Sequence, residues 1–333
     1  MHLSPHHVNH SRVSDREQIK KSPRWQDDEG VAATVGTIMA LLVFVTFMGI
    51  FTNQFVPVWM SDNESTHMAE SIGQMTNLKS QIDIVISNYP NSLVAPSPIA
   101  VPITLSAPGI PVFAAPTAGI LQFLPYTVGA RPSFSVDYSW VSQGGTTYNL
   151  GDTSDSRTGG SLELYCPNRY YVEQKLIYES GAVILNQTDG EYIIASMQFS
   201  VENRGTVGDP SRVMKITQVA IEGSNNTIGG TGSKMVNANL DYGSTVAYEN
   251  SAGSAVTITI VSEHGVAWET YFNSTLKASG LVFETDFEIS KVYHVMPNRL
   301  DNYYTLTVII QDVEVLDYTH ATIDMSIGEL GIL

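Results

Sequence analysis

The sequence predicts an α+β protein: a long N-terminal transmembrane and stalk helix, then a mainly antiparallel β-sandwich ectodomain with one short helix. Three observations predict it. No charged residue occurs from Val31 to Met60. Met68, Ile72, Met75, Leu78, Ile82 and Val85 then recur at steps of three and four, which is one apolar stripe on an α-helix. From residue 133 the chain alternates apolar and polar residues in short runs separated by turn clusters, the pattern of half-buried strands.

Composition narrows the function classes. Charged residues make up 15% of the 333, below the roughly 25% of ordinary soluble domains. The net charge of −16 makes nucleic acid and anionic lipid poor partners. Cys166 is the only cysteine, so neither an intramolecular disulfide nor a Cys-based zinc site can form. The β-domain must be stable through its apolar core alone.

In chain order, residues 1 to 30 are polar and lack an apolar period, the composition of a disordered cytosolic leader. Residues 31 to 60 form the membrane span: Ala32 to Phe51 is already long enough to cross a bilayer. Arg12, Arg16, Lys20, Lys21 and Arg24 precede the span, and only Lys79 lies in the thirty residues after it. That bias places the N-terminus inside and the ectodomain outside. Residues 61 to 89 are the amphipathic stalk helix. Pro57 marks a kink at its start, and Tyr89-Pro90 ends it. Its stripe packs either on the chain's own β-domain or on copies of itself. Removal of everything before Ser61 should leave a soluble protein.

Residues 90 to 132 hold nine of the fifteen prolines, so extended segments lying on the domain surface are expected. Residues 133 to 333 are the β-rich ectodomain. Ser133–Trp140, Ser161–Tyr165, Lys175–Leu185, Tyr192–Val201, Val213–Ile221, Ala255–Val261, Phe283–Val292, Tyr304–Val313 and His320–Ile327 read as strands. Trp268, Tyr271, Phe272, Thr275, Leu276 and Ser279 lie at helical spacing, with Ser262 as a start cap and Gly280 as the stop.

No catalytic motif is present: no G-x-S-x-G, H-E-x-x-H or Walker loop occurs. Gly229 to Lys234 imitates a phosphate loop but lacks its spacing, and reads as a hairpin turn. Asp152 and Asp155 are carboxylates that calcium could use, set against a plain solvated loop. Asn63, Asn186, Asn225 and Asn273 each open an N-x-S/T sequon. No cofactor or metal is expected.

The stretch Gly30-Val31-Ala32-Ala33-Thr34-Val35-Gly36-Thr37-Ile38-Met39 resembles the N-terminus of archaeal type IV pilins and archaellins. Gly109–Ala118, Asn168–Val172, Ile177–Leu185 and Ala267–Leu276 are similar to segments of a euryarchaeal group of pilin-like surface proteins. The resemblance implies a first helix that runs from the membrane into an amphipathic half. It also implies leader removal by a prepilin peptidase between Gly30 and Val31. Glu29 stands where that family has Lys or Arg, and Ala32-Ala33 where it commonly has Ser-Pro. The resemblance thus implies a pilin-like surface structural protein, a filament subunit or minor pilin, whose partners are the membrane and other pilins or its own copies. A surface adhesin or binding module is the alternative, and a cell-surface hydrolase a remote third.

Overall fold

A computed structural model describes residues 25–89, 96–127, 130–141, 147–150, 157–205, 211–296 and 302–329. The chain divides into two compact units, one ending at Gln54 and one starting at Phe55.

The described part of the first unit begins with a helix, α1, Trp25–Ile50. It starts inside the stretch expected to be a disordered leader, so residues 25–30 are helical; the rest of that leader lies outside the described residues. The helix is long and apolar enough to cross a membrane, and none of its most apolar stretch is buried. Its polar side chains bond to its own backbone. Thr34 Oγ1 donates to Gly30 O at 2.7 Å, Thr46 Oγ1 to Leu42 O at 2.8 Å, and Asn53 Nδ2 to Gly49 O at 2.8 Å. That arrangement satisfies these hydroxyl and amide donors without water.

The α-ladder changes at Phe51–Phe55, which is π-helical, and resumes as α2, Val56–Asn88. Pro57 explains the site. It has no N–H to offer the carbonyl one turn earlier, so the ladder is loosened just ahead of it. Val56 and Met60 are already buried, at 3% and 1% exposure. The β-domain therefore claims the helix before Ser61. A chain starting at Phe55 is expected to be soluble, monomeric and cooperatively folded. A cut at Ser61 should melt lower. Size-exclusion chromatography and thermal melts of the two proteins check this.

The second unit holds two sheets. The smaller contains β12 (Asn226–Gly230), β2 (Gly119–Leu124), β6 (Ser161–Cys166), β7 (Gln174–Glu179), β8 (Ala182–Gln187) and β9 (Gly190–Ala195) in that order. The larger is built on two long strands, β13 (Ser233–Ser262) and β15 (Tyr303–Glu329), paired antiparallel along most of their length. On one half of this ribbon, β1 (Ile99–Thr104) pairs with β13 and β11 (Arg212–Gly223) with β15, and β10 (Phe199–Asn203) flanks β11. On the other half, β3 (Ser133–Val141) pairs with β13 and β14 (Phe287–His294) with β15. Short β4 (Thr147–Asn149) and β5 (Arg157–Gly159) extend β3. Among the paired strands of the described residues only β11–β15 is parallel. The ribbon's register shifts between Glu249 and Val256, where Gly253 and Asp312 have φ of 67° and 56°. An irregularity of this kind re-aims a strand.

Two cores result. The α2 stripe, β1, β2, β6 and the adjoining halves of β11, β13 and β15 enclose the first. The second lies under α3, Gly265–Ala278, and the β3, β13, β14 and β15 segments of the other half. The β7–β8 hairpin is a wall between them. Leu176, Tyr178 and Val183 enter the first core, while Ile177, Ala182 and Ile184 enter the second. The expected sandwich has one core between two sheets; here two sheets and two helices share two.

Other expectations are corrected by tertiary context. Residues 99–104 and 119–124 are core strands rather than surface segments: Ile99, Val101, Ile103, Leu121 and Phe123 are at most 5% exposed. Pro102 sits on the exposed side of edge strand β1, where a missing N–H is tolerated. Lys175–Leu185 is a hairpin, turned by Ser180 and Gly181 with φ of 49° and 76°, the left-handed pair of a tight hairpin. Tyr192–Val201 divides into β9 and β10, whereas Tyr304–Val313 and His320–Ile327 are one strand. The phosphate-loop imitation is a short link between β12 and β13, which lie in different sheets. Gly280, φ 83°, follows α3 as expected.

Candidate functional site

The stripe residues converge in the first core. Met68, Met75, Leu78 and Ile82 are at most 2% exposed, and Ile72 and Val85 pack at the edge. Of the two packings left open by the sequence, the chain's own β-domain takes the stripe.

Polar groups on the same face fasten α2 to specific backbone. The Glu64 carboxylate, 1% exposed, accepts the N–H groups of Arg169, Tyr170 and Tyr171 at 3.1, 2.8 and 2.7 Å. Successive N–H groups aimed at one anion form a nest. His67 Nε2 donates to Thr104 O at 2.9 Å. Gln74 Oε1 accepts the N–H of Thr104 at 2.9 Å, and Gln74 Nε2 donates to Thr104 Oγ1 at 3.2 Å. These bonds satisfy the end of edge strand β1. Lys79 pairs with Asp83 one turn on. Burial pushes the Asp83 carboxyl up, and Lys79 offsets this only in part.

A second cluster joins α3 to the small sheet. Glu191 of β9 caps the helix: its Oε1 accepts the N–H of Val266 at 2.8 Å and of Ala267 at 3.0 Å. Its Oε2 lies 3.1 Å from His264 Nδ1. This carboxylate supplies the cap expected from Ser262. Ser262 Oγ instead accepts the N–H of His264 at 3.0 Å and donates to Glu179 Oε1 at 2.7 Å. Trp268 Nε1 donates to the same oxygen at 2.6 Å. Burial raises the Glu179 carboxyl, with His264, Trp268 and Ser262 pulling it back. Burial opposes the His264 imidazolium, but the Glu191 bond and the charges of Glu179 and Glu191 outweigh it, so His264 is raised. Burial likewise opposes the Glu191 anion, yet His264 and the two helix N–H groups hold Glu191 below its usual range.

This is the Ser–His–carboxylate grouping that a hydrolase would need in space. Its bonding differs from that need. The Ser262 hydroxyl donates to a carboxylate, not to the imidazole, and Ser262, His264 and Glu179 are at most 3% exposed. The arrangement can hold α3 on the sheets and can take up or lose a proton; it presents no nucleophile to solvent.

A third cluster lies at the ribbon's irregularity. Buried Arg212 donates Nη2 to Asp286 Oδ1 at 2.6 Å and Nη1 to Gln311 O at 2.6 Å. It thereby ties β11 to the turn before β14.

Gly30 and Val31 are exposed helical residues of α1. Asn225 is exposed in the β11–β12 turn, while Asn186 on β8 and Asn273 on α3 are half-buried. Asn63 on α2 donates its side-chain amide to Pro108 O at 3.1 Å. Cys166 is buried, and burial alone pushes its thiol up to about 12. Asp152 and Asp155 lie outside the described residues. Among the described residues no group of three metal-ligating side chains converges.

Glu64, Glu179 and Glu191 were missed from sequence. Glu64 had a signal: it falls between Met60 and Met68 at steps of four, so a carboxylate occupies the apolar stripe. Glu179 and Glu191 had none, since their partners arrive from 70 or more residues away. Compared with protein-family models, with curated proteins and with solved structures, the chain matches none.

Proposed function

We propose that this chain is a membrane-anchored surface protein of pilin-like design, in which one helix leaves the bilayer and enters the core of the β-domain it displays. The observation that carries this reading is the burial of the α2 stripe in a core shared with both sheets. A free tether would leave those side chains in water. Here the helix that follows the apolar span in sequence is built into the domain, as a structural subunit requires. The N-terminus lies inside and the β-domain outside, following the basic bias ahead of the span. The polar clusters support a structural role, because their hydrogen bonds are spent inside the domain.

Protease applied to intact cells is expected to digest the β-domain and spare the N-terminal tail. Peptide mapping of the native N-terminus then separates two forms of the reading. A start at Val31 means a processed, assembly-competent subunit; an intact leader means a singly anchored display protein. A β-domain shielded from protease in intact cells would sink both.

A binding role is the second reading. An open groove of about 520 Å³, lined by Phe199, Lys215, Thr217, Thr245, Asp317 and Thr319, offers mixed hydrogen-bonding groups beside one aromatic ring.

A further inference from the structure

The eight residues Gly109–Pro116 form a closed loop between β1 and β2. The Ile110 N–H bonds to Ala114 O at 2.8 Å, the Ala114 N–H to Ile110 O at 2.9 Å, and the Phe113 N–H to Ile110 O at 3.1 Å. At its tip Val112 is 99% exposed with φ 70°. A β-branched residue in that region is strained, and full exposure forgoes the gain from burying it. Phe113 beside it is also exposed. No charged residue occurs between Asp83 and Arg131. A rigid, charge-free loop holding an apolar tip outward is poorly suited to water.

Its place in the fold says what it faces. Asn63 of α2 binds the carbonyl of Pro108, just ahead of the loop. Glu64, the next residue, holds the Arg169–Tyr171 segment, whose Tyr170 is exposed. Trp59, one helical turn earlier, is exposed as well. Two loops and the helix thus bring exposed apolar side chains to one turn of α2. That turn is where the charge-free run ending at Met60 gives way to Asp62.

We propose that the Gly109–Pro116 loop, with Trp59 and Tyr170, inserts into the acyl–headgroup boundary of the bilayer that carries the anchor. The occupant is lipid rather than a second copy. Trp59 lies in sequence within the charge-free run from Val31 to Met60, the patch pairs aliphatic tips with the aromatic rings enriched at that boundary, and a net charge of −16 opposes contact between two β-domains. Insertion is apolar and needs no anionic headgroup. Depth stops at the boundary, since outward backbone groups of the loop still require water.

The proposal rests on the anchored reading, and the test separates the two. Full-length protein is reconstituted in phosphatidylcholine vesicles with an environment-sensitive maleimide dye on Val112→Cys; buried Cys166 does not compete. Ser224→Cys is the control: it is exposed, two residues before Asn226, which pairs with Phe123 at the end of β2 away from the loop. The dye at 112 is expected to shift to the blue, and lipid brominated near the headgroup should quench it about twofold or more, as fits the ~5–10 Å depth of interfacial insertion. The dye at 224 should report water. Water-like emission at 112 in protein that floats with the vesicles overturns the proposal and leaves the anchor standing. Concentration-dependent self-quenching at 112 without brominated lipid means that a second copy covers the loop, and also overturns it. A chain that fails to float overturns the anchor reading and the proposal together.

Discussion

Replacing Leu78 and Ile82 together by aspartate is expected to unfold the β-domain, not merely to detach the helix from it. Both side chains are fully buried in the first core, against strands of both sheets. Emptying one such site costs about 2–5 kcal/mol, and placing an unpaired carboxylate there adds several kcal/mol more. Two such changes exceed the roughly 5–15 kcal/mol that stabilises a typical domain. The measurement is a thermal melt of the dilute chain starting at Phe55, followed by circular dichroism. The double variant should show no cooperative transition, whereas Ile82→Val should melt normally with a loss of about 1 kcal/mol. If the double variant melts like its parent, the stripe is not part of the core, and the proposed display geometry loses its support.

The second large effect belongs to the cap on α3. Glu191→Ala removes the acceptor for two helix N–H groups and strands His264. Breaking a buried pair from one side costs about 3–5 kcal/mol. Its pH dependence has a definite sign. His264 is held above its ordinary 6.5. Its contribution is therefore complete below pH 6.5 and is lost as pH rises through the higher folded value. Glu191 is held below its ordinary 4.5. Its share is complete above pH 4.5 and is lost as pH falls through the lower folded value. The pair is thus fully formed between those limits. In denaturant titrations, the stability difference between the parent and His264→Gln should be largest near pH 6 and shrink toward pH 9. Replacing His264 also withdraws the charge that pulls the Glu179 and Glu191 carboxyls down, so the difference reports the His264 cluster as a whole, while the neighbouring Lys175–Glu163 pair, at 2.5 Å, remains in both proteins. A difference independent of pH would mean that His264 stays neutral in the folded state.

How much of this was readable in advance depends on whether the controlling partner is near in sequence. The α1–α2 helix, its end at Tyr89 and the α3 face of Trp268, Phe272 and Leu276 follow from local periodicity, and all were legible. A strand with one buried face, such as β3 with Phe134, Val136 and Tyr138 inward, was legible for the same reason. What failed was the point at which one alternating run becomes two strands. Ser180-Gly181 turns a hairpin inside what reads as continuous alternation, and the sequence around Asp312 continues through an irregularity without breaking. The proline-rich stretch was misplaced because composition describes solubility, while β1 and β2 are buried by strands more than 35 residues away. The polar clusters are wholly tertiary. Glu179 becomes an acceptor only when Ser262 and Trp268 reach it.

The position of β15 governs when this domain can exist at all during synthesis. It is the last described strand, yet it lies in the interior of the large sheet, between β11 and β13. Its Ile323 and Met325 help to close the core that contains the α2 stripe. Until β15 has been made, β13 lacks its main neighbour and the α2 stripe, Met68 to Ile82, is an uncovered apolar ridge. Pairings such as Lys234 with Glu329 close long loops, which slows folding. Assembly of the domain must therefore wait until the chain has been delivered past residue 325.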